Sequence, residues 1–136
     1  MSVAIERELE DSLASAFSIS GLNITKSNYD GERLLPSLTI EVGIGSEELS
    51  PNSGVFRCGG TLTYSARADT TTRQVLDATW FSILQTFYQS PSIESILTTN
   101  DLKVFQCKVM TESPGIINDR RIWTKTTSLD ILCTSK

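Results

Sequence analysis

Val55-Phe56-Arg57-Cys58-Gly59-Gly60-Thr61-Leu62-Thr63-Tyr64-Ser65-Ala66-Arg67-Ala68 alternates along its whole length. Phe56, Cys58, Gly60, Leu62, Tyr64 and Ala66 share one parity, while Arg57, Thr61, Thr63, Ser65 and Arg67 hold the other. Period two with this contrast predicts a long strand with one face on a core and a hydroxyl-rich face toward water. The Gly59-Gly60 step predicts a bulge or a close backbone approach, and opposite a covering helix it would leave room for a small ligand.

Upstream, Ser37 to Ile44 alternates in the same way, with Leu38, Ile40, Val42 and Ile44 on one side. Gly45 to Gly54 is rich in turn residues and carries Glu47 and Glu48, which predicts an exposed loop joining the two strands. Leu22 to Lys26 reads as a short strand, followed by a turn cluster at 27–31. Residues 3–17 space Ile5, Leu9, Leu13, Ala16 and Phe17 as one helical stripe, with Glu6, Arg7, Glu8, Glu10 and Asp11 expected on the solvated side.

Downstream, Thr71-Thr72-Arg73-Gln74 has capping-box spacing and opens a helix whose stripe is Leu76, Trp80, Ile83, Leu84 and Phe87. Ser90-Pro91 stops it, Ile93 to Thr99 suits a short helix, and Leu102 to Thr111 and Arg120 to Thr134 read as the last strands. The order helix, strands, helix, strands predicts an α+β fold. Its expected form is one domain over 1–136, a single mainly antiparallel sheet flanked by an N-terminal and a central helix.

Composition narrows the chemistry. The 136 residues contain no His, 12 Lys+Arg and 16 Asp+Glu, so the commonest general base and zinc ligand are missing and tight phosphate binding is disfavoured. No run of apolar residues is long enough for a membrane helix, and the early acids do not suit a signal or transit peptide, which leads to an expectation of synthesis in a cytoplasm. Residues 1–50 carry nine acids and three bases, and residues 51–136 seven acids and nine bases. Such asymmetry serves head-to-tail subunit contact or reflects faces that differ without consequence; both readings stand.

No motif announces a reaction. Cys58, Cys107 and Cys133 lack CxxC spacing, lie among large apolar neighbours in alternating strands, and read as small buried hydrophobes. Phe56, Tyr64, Trp80, Phe81, Phe87 and Tyr88 read as core packing. Gly43-Ile44-Gly45 fails as a dinucleotide fingerprint for want of a third glycine and a following helix. Asp130, between Leu129 and Ile131, is expected to pair with Arg57, Arg67 or Lys125 across strands. No catalytic, cofactor-binding or metal-ligating set is therefore assigned, and the chain is expected not to be an enzyme.

Two segments suit contacts with other chains: the stretch ending Arg33-Leu34-Leu35-Pro36, and a hairpin expected to present Ile116-Ile117 at its tip, followed by Arg120-Arg121. Exposed apolar pairs fit a subunit interface, although the same tips can fold back on the sheet edge.

From Val55-Phe56-Arg57 through Ala66-Arg67-Ala68-Asp69, then Thr72-Arg73-Gln74-Val75-Leu76-Asp77, then Asp119-Arg120-Arg121-Ile122-Trp123-Thr124-Lys125-Thr126 and Leu129-Asp130-Ile131-Leu132-Cys133, the chain resembles the small tail-terminator or tail-completion proteins of long-tailed bacteriophages, the lambda-type ring-forming group. The likeness spans about residues 36–134. It implies a structural virion protein made in the host bacterial cytoplasm. Such a protein forms a hexameric ring that caps the head-proximal end of the tail tube and meets the tail tube protein and the neck or connector. DNA would pass through the lumen without sequence-specific binding; Glu47-Glu48 is one candidate for its lining. The alternatives are a head-completion or neck adaptor and, from another class, a cytoplasmic small-ligand binding domain.

Overall fold

A computed structural model describes residues 5–17, 22–26, 36–48, 53–69, 72–88, 93–99, 102–112, 116–117 and 121–135. In chain order these form helix α1 (Ile5–Ala16), strands β1 (Asn23–Lys26), β2 (Ser37–Glu47) and β3 (Val55–Arg67), helix α2 (Arg73–Gln85) with a 3-10 turn at Thr86–Tyr88, helix α3 (Ile93–Leu97), and strands β4 (Leu102–Glu112), β5 (Ile116–Ile117) and β6 (Ile122–Ser135). The fold is α+β, as the alternation and helical stripes predict. One sheet runs β1-β2-β3-β6-β4, with β5 also on β6. Among the described strand pairs only β1–β2 is parallel.

The long β3 and β6 pair without a register shift from Val55↔Thr134 to Arg67↔Ile122. Their strict alternation therefore carries across the sheet. Cys58, Leu62, Tyr64 and Ala66 of β3, Leu129, Ile131 and Cys133 of β6, and Leu38, Ile40 and Val42 of β2 turn to one side. The three described α-helices bury their apolar stripes there: Ile5, Leu9 and Leu13 from α1; Leu76, Trp80 and Ile83 from α2; Ile93 and Leu97 from α3. Phe17 meets Phe87 edge-on at 5.9 Å between centroids, and Trp80 leans on Tyr64.

Several details differ from expectation. The Gly59-Gly60 step makes no bulge. Nor does it make a close backbone approach: a Cβ on Gly60 would stand in ordinary contact, 3.4 Å from the Leu129 side chain, and the core-side room suggested for a ligand is taken by that leucine. The register shifts instead between Ile44 and Ser46 in β2, and between Val104 and Gln106 and between Val109 and Thr111 in β4. The α2 cap is Thr72, whose hydroxyl accepts the Val75 N–H at 3.3 Å, one residue beyond the capping box expected at Thr71.

The N-terminal acids depart furthest from the expected solvated side. β1 ends opposite Ile40, and beyond that point no described strand pairs with the outer edge of β2. There α1 supplies the acceptors: Val42 N–H donates to Glu10 Oε1 at 3.3 Å and Ile44 N–H to Glu6 Oε1 at 3.4 Å. Glu10 is only 7% exposed. At the other edge, Cys107 N–H of β4 donates to Glu94 Oε1 at 3.3 Å and Val104 N–H to Thr98 Oγ1 at 3.2 Å. Side chains on or just after the helices thus occupy backbone donors that would otherwise invite another strand.

Candidate assembly interface

The face of the sheet away from the helices is polar and is not covered by any described helix. Register lines up Thr39, Thr63 and Thr126 in one cross-strand row, Glu41, Thr61 and Ser128 in the next, and Gly43, Gly59, Asp130 and Lys108 in a third. Neither Gly43 nor Gly59 has any neighbour where a Cβ would project, so this row holds an open notch beside Asp130.

One end of this face carries its charge. Arg57 donates through Nε to Glu48 Oε1 at 2.8 Å and through Nη1 to Asp130 Oδ2 at 2.5 Å. Of the three bases offered to Asp130 by the sequence, Arg57 is the partner, because Lys125 has the core-side parity and reaches Asp77 at 3.8 Å, while Arg67 lies at the far end and holds Asp69 at 2.8 Å. Asp130 first and Glu48 second raise the Arg57 pKa above its usual range, so the guanidinium remains charged. The Arg67 guanidinium in turn lowers the Asp69 carboxyl below its usual range.

Beside Arg57 lies a cavity of about 260 Å³ lined by Glu48, Val55, Arg57, Phe105 and Leu132. The β4 register shift creates its wall. Without that shift Phe105 would share the inward parity of Cys107 and Val109; the extra residue keeps Val104 inward and leaves Phe105 46% exposed beside Leu132. Lys103 Nζ sits 5.6 Å from the Phe105 ring centroid.

The expected interface residues are distributed differently. Glu47 ends β2 rather than sitting in a loop, and its Oε2 accepts the Gly54 N–H at 3.0 Å. Glu48 is tied to Arg57, so both acids brace the β2–β3 connection. Ile116 and Ile117 form β5, paired with Thr124 and Trp123, rather than the tip itself. Arg121 is exposed, has φ 58, and accepts the Ala68 N–H on its carbonyl at 2.8 Å. Arg33, Leu34, Leu35 and Arg120 lie outside the described residues.

Sequence reasoning missed two exposed aromatics. Phe81 is 62% and Tyr88 73% exposed, where core packing was expected. Phe81 lies off the stripe set by Leu76, Trp80 and Ile83, a signal that helical phase alone carries.

The thiols are buried as expected. Cys58 and Cys133 approach to 4.0 Å between sulfurs, and sharing a hydrogen with Cys133, together with burial, raises the Cys58 pKa well above the ordinary thiol range. Burial pushes Cys107 up to about 12. Protonated, enclosed sulfurs are poor nucleophiles. Among the described residues no cluster of three His, Cys, Asp or Glu could hold a metal ion, and no helix is long and apolar enough to cross a membrane. No protein-family model matches the chain, and no curated protein matches it.

Proposed function

We propose that this chain is a structural virion subunit, a tail-terminator-like protein that assembles as a ring, with a hexamer as the expected form. The ring closes the head-proximal end of the tail tube and offers a surface to the neck. The observation that carries this reading is the one-sided architecture: the described helices bury one sheet face, and no described helix lies on the other, which holds the Arg57 cluster and an apolar cavity. An apolar hollow exposed on an otherwise polar face suits contact with another chain.

Because α1 and α3 already occupy edge donors of β2 and β4, subunit contacts run through faces and side chains rather than through strand addition at those positions. The hydroxyl rows give the open face little apolar adhesion beyond its cavity. Electron microscopy of particles made without this chain tests the reading. The expected result is tails of uncontrolled length or tails detached from heads; normal infectious particles overturn it.

A further inference from the structure

Helix α1 buries Ile5, Leu9 and Leu13 and serves the β2 edge with Glu6 and Glu10, and it has a further polar side. Glu8, Asp11, Ser12 and Ser15 stand three or four residues apart and share one face of the helix. That face meets α3, and between the two lies an open cavity of about 320 Å³ lined by Glu8, Asp11, Ser12, Ser15, Ile96 and Thr99. Glu8 Oε1 accepts the Thr99 hydroxyl at 3.0 Å, and the Ser15 hydroxyl donates to the Asp11 carbonyl at 3.0 Å. Ser12 differs from both. It is only 9% exposed, and its hydroxyl has no hydrogen-bond partner among the described residues. Among those residues Ser37 Oγ is the side-chain atom that is both fully enclosed and unpartnered, so Ser12 Oγ is not sealed in and remains reachable at the cavity wall. A hydroxyl held nine-tenths buried and unpaired beside a cavity calls for an occupant that can bond it.

The walls state the chemistry of that occupant. The lining brings Glu8 and Asp11, the hydroxyls of Ser12, Ser15 and Thr99, and the apolar Ile96, with no Lys or Arg. Glu8 is bonded there by a neutral hydroxyl, which leaves its charge uncancelled by that contact. Among the described residues no three His, Cys, Asp or Glu gather to hold a metal ion, so the walls suit an organic cation. A primary ammonium has three donors and no acceptor, which matches carboxylate and hydroxyl acceptors on one helix face. A quaternary ammonium brings no donor for Ser12.

We propose that this cavity binds a primary alkylammonium group, with Glu8 and Ser12 as its acceptors, Asp11 adding negative potential and Ile96 supporting the alkyl chain. Such a site stands independently of ring assembly.

The test is a chemical-shift titration of the full chain with butylammonium chloride at constant ionic strength. Saturating shifts are expected at the amides of residues 8–15 and 96–99, and none that saturate with tetramethylammonium chloride. Glu8→Gln, which keeps an oxygen for Thr99, is expected to weaken binding at least about tenfold, and Ser12→Ala about fivefold. Ala is the better helix former, so Ser12→Ala keeps the fold. Pentane-1,5-diamine and Nα-acetyllysine methylamide separate the two sources of such a group: tighter binding of the first assigns a free diamine, tighter binding of the second a lysine side chain of another protein, and equal binding shows that ammonium and alkyl chain alone are read. No saturating shift at millimolar butylammonium, equal shifts with tetramethylammonium, or either variant binding like wild type overturns the proposal.

Discussion

Glu10 of α1 accepts the backbone N–H of Val42 in β2 at 3.3 Å, and Glu6, one helical turn earlier, does the same for Ile44 at 3.4 Å. Four residues of helix rise about 6 Å and two residues of strand about 6.6 Å, so carboxylates spaced i, i+4 can serve alternate amides of a strand edge. Helix α1 therefore both closes the core and terminates the sheet. Glu10→Ala is expected to destabilise the fold by about 1–3 kcal/mol, since the buried Val42 donor loses its acceptor. Glu10→Gln, which keeps an oxygen in place, should cost less in the same urea titration.

Arg57 links the end of β2 to β6 through Glu48 and Asp130, and its side chain is 40% exposed. Solvent screening limits the contribution, so Arg57→Ala is expected to lower stability only slightly, with the difference from wild type shrinking as salt rises. Denaturant midpoints at low and high ionic strength check this.

Cys107 is pushed by burial from 9.0 up to about 12. Above pH 9 the unfolded chain releases this proton while the folded chain keeps it, so the stability it contributes is present below pH 9 and is lost between about 9 and 12. Melting temperature is expected to fall more steeply with pH in that window for wild type than for Cys107→Ala, and parallel curves would exclude the effect.

Replacing Ile116 and Ile117 together by Asp is expected to weaken assembly and leave the monomer folded. β5 contributes only a two-residue pairing at one side of β6, whereas the β3–β6 pairing spans both strands almost end to end. Circular dichroism beside sedimentation separates the outcomes; an unfolded monomer would place these side chains in the core.

Much of the fold is legible because β3 and β6 pair without a register shift. Period two along Val55–Arg67 then tells which side chains enter the core, and Thr127, Leu129, Ile131 and Cys133 follow the same rule. In β4 the rule fails at Phe105, since one extra residue in a strand reverses the parity of what precedes it and leaves no mark in composition. The Asp130 partner was narrowed to three bases by sequence and chosen by register. Glu6 and Glu10 read as surface acids because the amides they serve are 38 and 32 residues away in the chain.

The sequence by itself determined the α+β class, the helical stripes, the inward faces of β2, β3 and β6, and the burial of the three thiols, because local periodicity and side-chain solubility decide those. Tertiary structure alone decided that all three helices share one face, that carboxylates of α1 and α3 close strand edges, and that Phe105 and Leu132 make a cavity beside Arg57. Each of these depends on strand order, register or a register shift, and such relations couple residues far apart along the chain that no local pattern connects.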